Sequence, residues 1–388
     1  MLALVVALQG CADDQTATPL PPGTDASTGT PSTGTPATLG GADTSVTGEG
    51  VSTGLEGSTS SSTAVDATSG STTDGESSTG QELCEAPVAV VPCDGFGDAP
   101  TPLQAIGLDC PGGPDQAIAL VSSTFQSADA DAWQIGTQLG SHVDAMGMPT
   151  WGPTHGDQLL MISSGFIAPP DATGRVLMAT LEQDANDNPD DKPLPAPMVP
   201  APGSGGTPFM GCNGVADCSD SLWDQWLAGG SAANDLLWFQ LRAEVPGGTH
   251  GFAFDLAFFS EEFPESVGTT FNDMFVVWSS SETYVGNLCF VDEQPCTVTA
   301  LWPVPYEGVA PQLQDTGFGE HALGEGGGTG WFRLKGSAAP HEMLELTLAL
   351  FDMGDDQLDT LVLLDGFGWD CQGCTPTPED PCGVVEPR

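Results

Sequence analysis

Carboxylates crowd three short stretches of this chain, and crowding is what gives an acid its chemistry. The first stretch is Ser260-Glu261-Glu262-Phe263-Pro264-Glu265, followed by Phe271-Asn272-Asp273. The second is Asp352-Met353-Gly354-Asp355-Asp356-Gln357-Leu358-Asp359-Thr360, and the third is Asp184-Ala185-Asn186-Asp187-Asn188-Pro189-Asp190-Asp191. Carboxylates held close together repel one another unless they are protonated, hydrogen-bonded or bridged by a cation. Hard oxygen donors on a loop suit calcium, which accepts flexible coordination. Glu261, Glu262, Asn272, Asp273, Asp352, Asp355, Asp356 and Asp359 are therefore candidate Ca2+ ligands. The competing reading is turn chemistry, since Asp and Asn at strand ends bind their own backbone. The third stretch has the oxygen density of a calcium loop but lacks the EF-hand Gly and terminal Glu, and reads as a solvated loop. Paired carboxylates could also serve a glycosidase. Glu261 or Glu262 with Asp273 would be that pair, and Trp223, Trp226, Trp238, Trp278, Trp302 and Trp331 could stack on sugars, although tryptophans more often fill cores. No zinc-protease, nucleophile-elbow or phosphate-loop motif accompanies them, so no catalytic residue is assigned and the expectation is a non-enzyme.

The acids sit where strong strands end. Gly251 to Phe259 alternates Phe252, Phe254, Leu256 and Phe258 against Ala253, Asp255 and Ala257, a half-buried strand pattern. Asp273 to Ser279 and Leu361 to Leu364 read as more fully buried strands, and Met343 to Phe351 alternates leucines. Asp365-Gly366 reads as a turn. Two short helices are expected, one from near Asp115 through Leu120, the other capped by Ser219 or Asp220 and carrying Leu222, Trp223 and Trp226. Pro193 to Pro208 reads as an exposed excursion. The expected fold is mostly β, a β-sandwich or jelly-roll-like domain with a few short helices and long loops, preceded by a disordered linker.

The chain has 53 acidic and 6 basic side chains, a formal charge of -47. Nucleic acid and anionic membrane surfaces both need clustered Lys and Arg, and so are excluded as partners. A cation-rich setting would screen the repulsion. Of 11 cysteines, ten follow Cys11: Cys84, Cys93, Cys110, Cys212, Cys218, Cys289, Cys296, Cys371, Cys374 and Cys382. An even set favours disulfides in an exported chain. Cys212 with Cys218, and Cys289 with Cys296, are candidate local pairs, and the remaining connectivity stays open. Cys371-x-x-Cys374 admits zinc or redox chemistry, but no second such motif exists and the histidines have no ligand-like spacing.

Residues 1–11 read as a signal peptide ending in Leu8-Gln9-Gly10-Cys11. That ending resembles a bacterial lipobox, which makes Cys11 the expected site of lipidation. Gln9 and the missing basic region depart from the usual pattern, and a start codon placed too far downstream would explain the latter. Residues 12–83 are mostly Ser, Thr, Gly and Pro and read as a disordered linker. Such a coil spans about 45 Å. Residues 84–382 form the Cys-containing β-rich domain and 383–388 a tail.

The run Phe254-Asp255-Leu256-Ala257-Phe258-Phe259-Ser260-Glu261-Glu262-Phe263-Pro264-Glu265, with Phe271-Asn272-Asp273-Met274-Phe275 and Tyr284-Val285-Gly286-Asn287, resembles the choice-of-anchor L domain. Leu348 to Asp355 with Leu358 to Asp365 is similar to that domain's closing motif, and the resemblance spans about residues 113–370. It implies a bacterial surface protein attached by one of several kinds of anchor, here the lipid, and it supplies no catalytic residues. Phe263 stands where Tyr is commoner, and the extra cysteines are a further departure. The expected function is a lipid-anchored, surface-displayed module for adhesion, external ligand binding or envelope structure, stabilised by calcium. Its partners would be the membrane through the anchor and an extracellular glycan or protein, and its location the cell envelope, at the outer membrane or cell surface. A lectin-like adhesin is one form of this, and a secreted polysaccharide hydrolase is the alternative.

Overall fold

Alternation at a period of two puts every second side chain on one face of a strand, and a face made of Phe and Leu must be buried against another such face. The computed structural model describes residues 82–177, 186–201, 212–301, 311–319, 326–377 and 382. Cys11, the linker up to residue 81, Asp184, Ala185, Trp302 and the 383–388 tail lie outside the described residues. In chain order the strands are β1 (Ser122–Gln126), β2 (Trp133–Gly136), β3 (Gln138–Leu139), β4 (Leu159–Ser163), β5 (Arg175–Val176), β6 (Asn234–Glu244), β7 (Gly251–Ser260), β8 (Met274–Ser280), β9 (Val285–Asn287), β10 (Phe290–Val291), β11 (Gln294–Pro295), β12 (Gly327–Gly328), β13 (Phe332–Ser337), β14 (Met343–Asp352) and β15 (Thr360–Asp370).

The chain is mostly β, built on two antiparallel sheets. One has the order β1-β6-β14-β8-β9; the other runs β12-β7-β15-β4-β2, with β13 also paired to β7. Their facing sides share one core. Leu237, Phe239 and Leu241 of β6, Phe275 and Val277 of β8 and the β14 leucines from Leu344 to Leu350 meet Phe252, Phe254, Leu256 and Phe258 of β7 with Val362 and Leu364 of β15. Each such side chain contributes about 1.5–3 kcal/mol on leaving water.

Both outer faces are covered as well. Trp151, Leu313 and Phe318 lie over Phe259, Met161 and Leu363 on the second sheet, with Trp151 and Phe259 edge to face at 4.9 Å. On the first sheet Leu222 and Trp226 cover Val276, Trp278 and Phe351. Trp226 and Trp278 are therefore core residues rather than a sugar platform. Trp151, Leu313 and Phe318 over one sheet, and Leu222 and Trp226 over the other, explain why β7 and β8 are buried nearly throughout.

Three local expectations change. Residues from Asp115 form no helix: Gln116 and Ala117 donate to Gly113 O, and Ile118 then bridges Leu108 as extended chain. A tertiary partner for Ile118 outcompetes weak local propensity. Asp365-Gly366 is a bulge inside β15, not a turn, since pairing with β7 resumes at Gly368. The helix with Trp223 and Trp226 exists as α1 (Trp223–Ala228), but Ser219 and Asp220 do not cap it. No side chain caps it; the buried Asp217 carboxylate instead holds the turn that leads into it, accepting the amides of Ser219, Ser221 and Leu222.

All ten domain cysteines pair. Cys212–Cys218 and Cys289–Cys296 form as local bridges; Cys93–Cys110, Cys84–Cys371 and Cys374–Cys382 complete the set. Cys371 and Cys374 thus point to different partners, which removes the zinc and redox readings of that motif. Cys84–Cys371 joins residues 287 apart and nearly closes the domain on itself. Loop entropy makes it the most stabilising bridge: replacing both of its cysteines by Ala should cost about 5 kcal/mol, against about 2 kcal/mol for Cys212 and Cys218. Urea midpoints of the two double variants measure that order directly.

Candidate functional site

Antiparallel register decides which acids meet. Ser260, the last residue of β7, faces Thr360, the first of β15. Met274, the first residue of β8, faces Phe351 near the end of β14. Residues 261–273 and 353–359 therefore both cross between the sheets at the same end of the sandwich, and the first two acidic stretches become one site. The amide of Glu261 donates to Asp359 O at 3.0 Å, tying the two crossings together.

Glu261, Glu262, Asp273, Asp352 and Asp359 are each at most 1% exposed. Glu262 Oε2 accepts the Asp273 amide at 2.9 Å. Asp273 Oδ2 accepts the Thr360 hydroxyl at 2.8 Å, and its Oδ1 the Met353 amide at 3.4 Å. Asp352 is the exception. The Ser164 hydroxyl is close enough to ease its burial, yet neither of its carboxylate oxygens meets a donor in hydrogen-bonding geometry. Asp359 packs so tightly on Gly165 that its carboxylate fills the space a Cβ there would need. The Lys and Arg ion pairs seen among the described residues hold Asp171, Glu345, Asp255 and Asp370 instead.

The electrostatics follow from that packing. Burial first, and then the charges of Asp352 and Asp355, push Glu262 up to about 9. Burial and the Glu262 charge raise Asp273 well above the ordinary carboxylate range. Burial and the charges of Asp273 and Asp359 do the same to Asp352, with a smaller push from Asp235. Asp355, half-buried on the same crossing, is raised by burial and by Asp356.

Not every candidate points inward. Asn272 is buried, but its Nδ2 donates to Thr269 O at 2.6 Å and its Oδ1 accepts the Thr299 hydroxyl at 2.6 Å, so its side chain holds a turn. Asp356 is partly exposed on the outer part of the second crossing. The described part of the third stretch straps the same end. The Asn186 amide donates to Ser164 O, Asp190 Oδ1 accepts the Asp235 amide at 3.2 Å, and Asn188 Oδ1 collects the amides of Ala128 and Asp129. Its aspartates are exposed while its asparagines are buried. Asp235 belongs to the site and was missed, because it opens β6 far from either acidic run. Asp217 was missed for a similar reason, being a lone acid whose carboxylate also holds the Asn287 amide at 2.9 Å.

Such an all-oxygen, strongly negative donor set suits a hard divalent cation. Among the described residues no three His, Cys, Asp or Glu side chains already stand in a geometry that could hold a metal ion, so ligation would require the carboxylates to draw together. The pair proposed for sugar hydrolysis has no cleft, since Glu261, Glu262 and Asp273 are enclosed.

No family model matches this chain, and no curated protein does. Among solved structures it is similar to a β-glucosidase from Kluyveromyces marxianus at 11% identity, over 38% of this chain, with a TM-score of 0.15. The chain spans only 12% of that enzyme's length, and so slight a likeness carries no argument about fold or activity. No helix among the described residues is long and apolar enough to cross a membrane.

The raised carboxylates set a sign for pH. A folded pKa above the unfolded one means the native chain keeps protons that the unfolded chain has released, so stability falls as pH rises through that interval. With chelator present to keep cations out, thermal midpoints should decline between pH 5 and pH 9, the interval leading up to the raised Glu262 value of about 9. Glu262→Gln, which keeps an acceptor for the Asp273 amide but no titrating proton, should flatten the decline. A variant that parallels the wild type throughout would contradict this account of Glu262.

Proposed function

We propose that this chain is a surface-displayed, non-enzymatic β-sandwich module, tethered through a lipid on Cys11, whose crossing end is closed by calcium held among Glu262, Asp273, Asp352 and Asp359. One observation carries the cation reading: both Asp352 oxygens are fully buried with no hydrogen bond of good geometry, beside the Ser164 hydroxyl and the buried Asp273 carboxyl. An uncompensated buried charge is costly, and a bridging cation or a proton removes the cost. A cation fits an exported chain of charge -47, whose surface concentrates divalent ions. The same ion would lock the two sheets together, because its ligands come from both crossings.

Display is supported by the lipobox-like Leu8 to Cys11, the Ser/Thr-rich stretch after it and the complete pairing of the domain cysteines. The resemblance to choice-of-anchor L domains points the same way. Adhesion or binding of an external ligand is then the role at the far end of the tether.

Calcium at a hundredfold excess over its dissociation constant should raise the thermal midpoint by about 5–10 °C relative to chelator at matched ionic strength. Asp352→Asn should abolish that shift and melt at or above wild type in chelator, since it removes a buried like charge. A midpoint unmoved by calcium in the wild-type protein sinks the cation reading and leaves protons to neutralise the cluster. Globomycin-sensitive processing, or its absence, tests the lipid separately.

A further inference from the structure

The opposite end of the sandwich carries a groove of about 670 Å³, lined by Pro114, Asp115 and residues 117–121, by Glu244 to Gly247 and by Glu85, His341 and Trp369. Its volume lies in the range of small-ligand and short-peptide sites. The floor is aliphatic: Val121 is well exposed there and Leu120 partly so, with Ile118 and Val245 buried behind them. The rim is acidic. Glu85, Asp115 and Glu244 are exposed on it, and Glu82 stands beside them.

Gly247 is what lets the rim charges converge. A Cβ there would stand 2.7 Å from Glu82 Oε1, 3.0 Å from Glu85 Oε2 and 3.2 Å from the His341 ring. His341 Nε2 lies 2.9 Å from Glu82 Oε1, so one imidazole faces several carboxylates. The Glu82 hydrogen bond, then the charges of Glu82, Glu85 and Glu244, hold the imidazole above its ordinary pKa. Even when protonated it leaves the rim with surplus negative charge.

We propose that this groove binds an extended segment of a partner protein in which a Lys or Arg stands beside an apolar residue. The rim carboxylates match the cation, the Trp369 indole offers it an aromatic surface, and the aliphatic floor takes the methylene stem and the neighbouring apolar side chain. An extended peptide is the source because the groove runs directly into a strand that is an edge among the described residues. Val121 leads into β1, which lies at the edge of its sheet and is exposed along nearly its whole length. Exposed edge strands offer backbone groups to an added strand. This proposal does not rest on the cation site, which occupies the other end of the sheets.

With a charge of -47 the full chain will attract any cation, so the test needs a charge-matched control. A fluorescent peptide alternating Lys with Val is titrated with the full-length protein at physiological ionic strength, calcium held constant. Glu85→Gln with Glu244→Gln should weaken binding about tenfold, while Asp292→Asn with Glu293→Gln, an exposed pair elsewhere, should change it less than about twofold. Ala119→Trp, which fills the groove without altering charge, should abolish binding and leave the melting curve unchanged. Equal losses in both charge variants, or binding that survives Ala119→Trp, would overturn the groove as the site. Butylammonium binding as tightly as the peptide would overturn the peptide as its occupant.

Discussion

Everything at the crossing end depends on one constraint: carboxylates placed out of water must be neutralised. The sandwich forces the placement. Once β7 pairs with β15 and β14 with β8, the two crossings have nowhere to lie except beside each other. The chain then offers amides and hydroxyls to Glu262 and Asp273 but leaves Asp352 with none in bonding geometry. Most folds would place an apolar residue at such a position. Retaining an acid there makes the junction of the two sheets responsive to whatever neutralises it. Buried charge is weak support for stability in itself, because an apolar substitute is often as stable or more so. Its physical meaning lies in conditionality.

The two ends of the domain use negative charge differently. At the crossing end the acids are enclosed, their pKa values rise, and the field acts inward on the protein's own sheets. At the groove the acids stay in water around an apolar floor, where their field acts outward and is screened by salt. The same composition thus acts on the fold itself in one place and on the surrounding solution in the other. Burial decides which, since effective dielectric separates a charge that strains its own fold from one that meets a visitor.

Much of the frame was legible in the residues. The alternation in β7 and β14 named the core face correctly, and the short apolar run before Asp365 marked β15. The strand β6 is equally legible, with Leu237, Phe239, Leu241 and Ala243 inward against Trp238, Gln240 and Arg242. What could not be read was pairing. Two acidic stretches far apart in sequence become one site only through antiparallel register, which a single sequence does not display. Asp217 and Asp235 stayed hidden because a lone acid carries no local pattern. Asn272 looked like a ligand by type, and only its partners, Thr269 and Thr299, reveal a turn. The helix expected after Asp115 failed because Ile118 found a bridge to Leu108.

The bridge between Cys84 and Cys371 has a mechanical side. A force applied to the chain ahead of the domain would arrive at Cys84, and there the covalent path divides. One branch follows the chain into the sheets; the other passes at once through sulfur to Cys371, just beyond the end of β15. Such a force would therefore not peel the segment after Cys84 away from the sandwich. It is shared between the two extremities of the fold, and the strands between them are spared the unzipping geometry in which antiparallel sheets yield one hydrogen bond at a time.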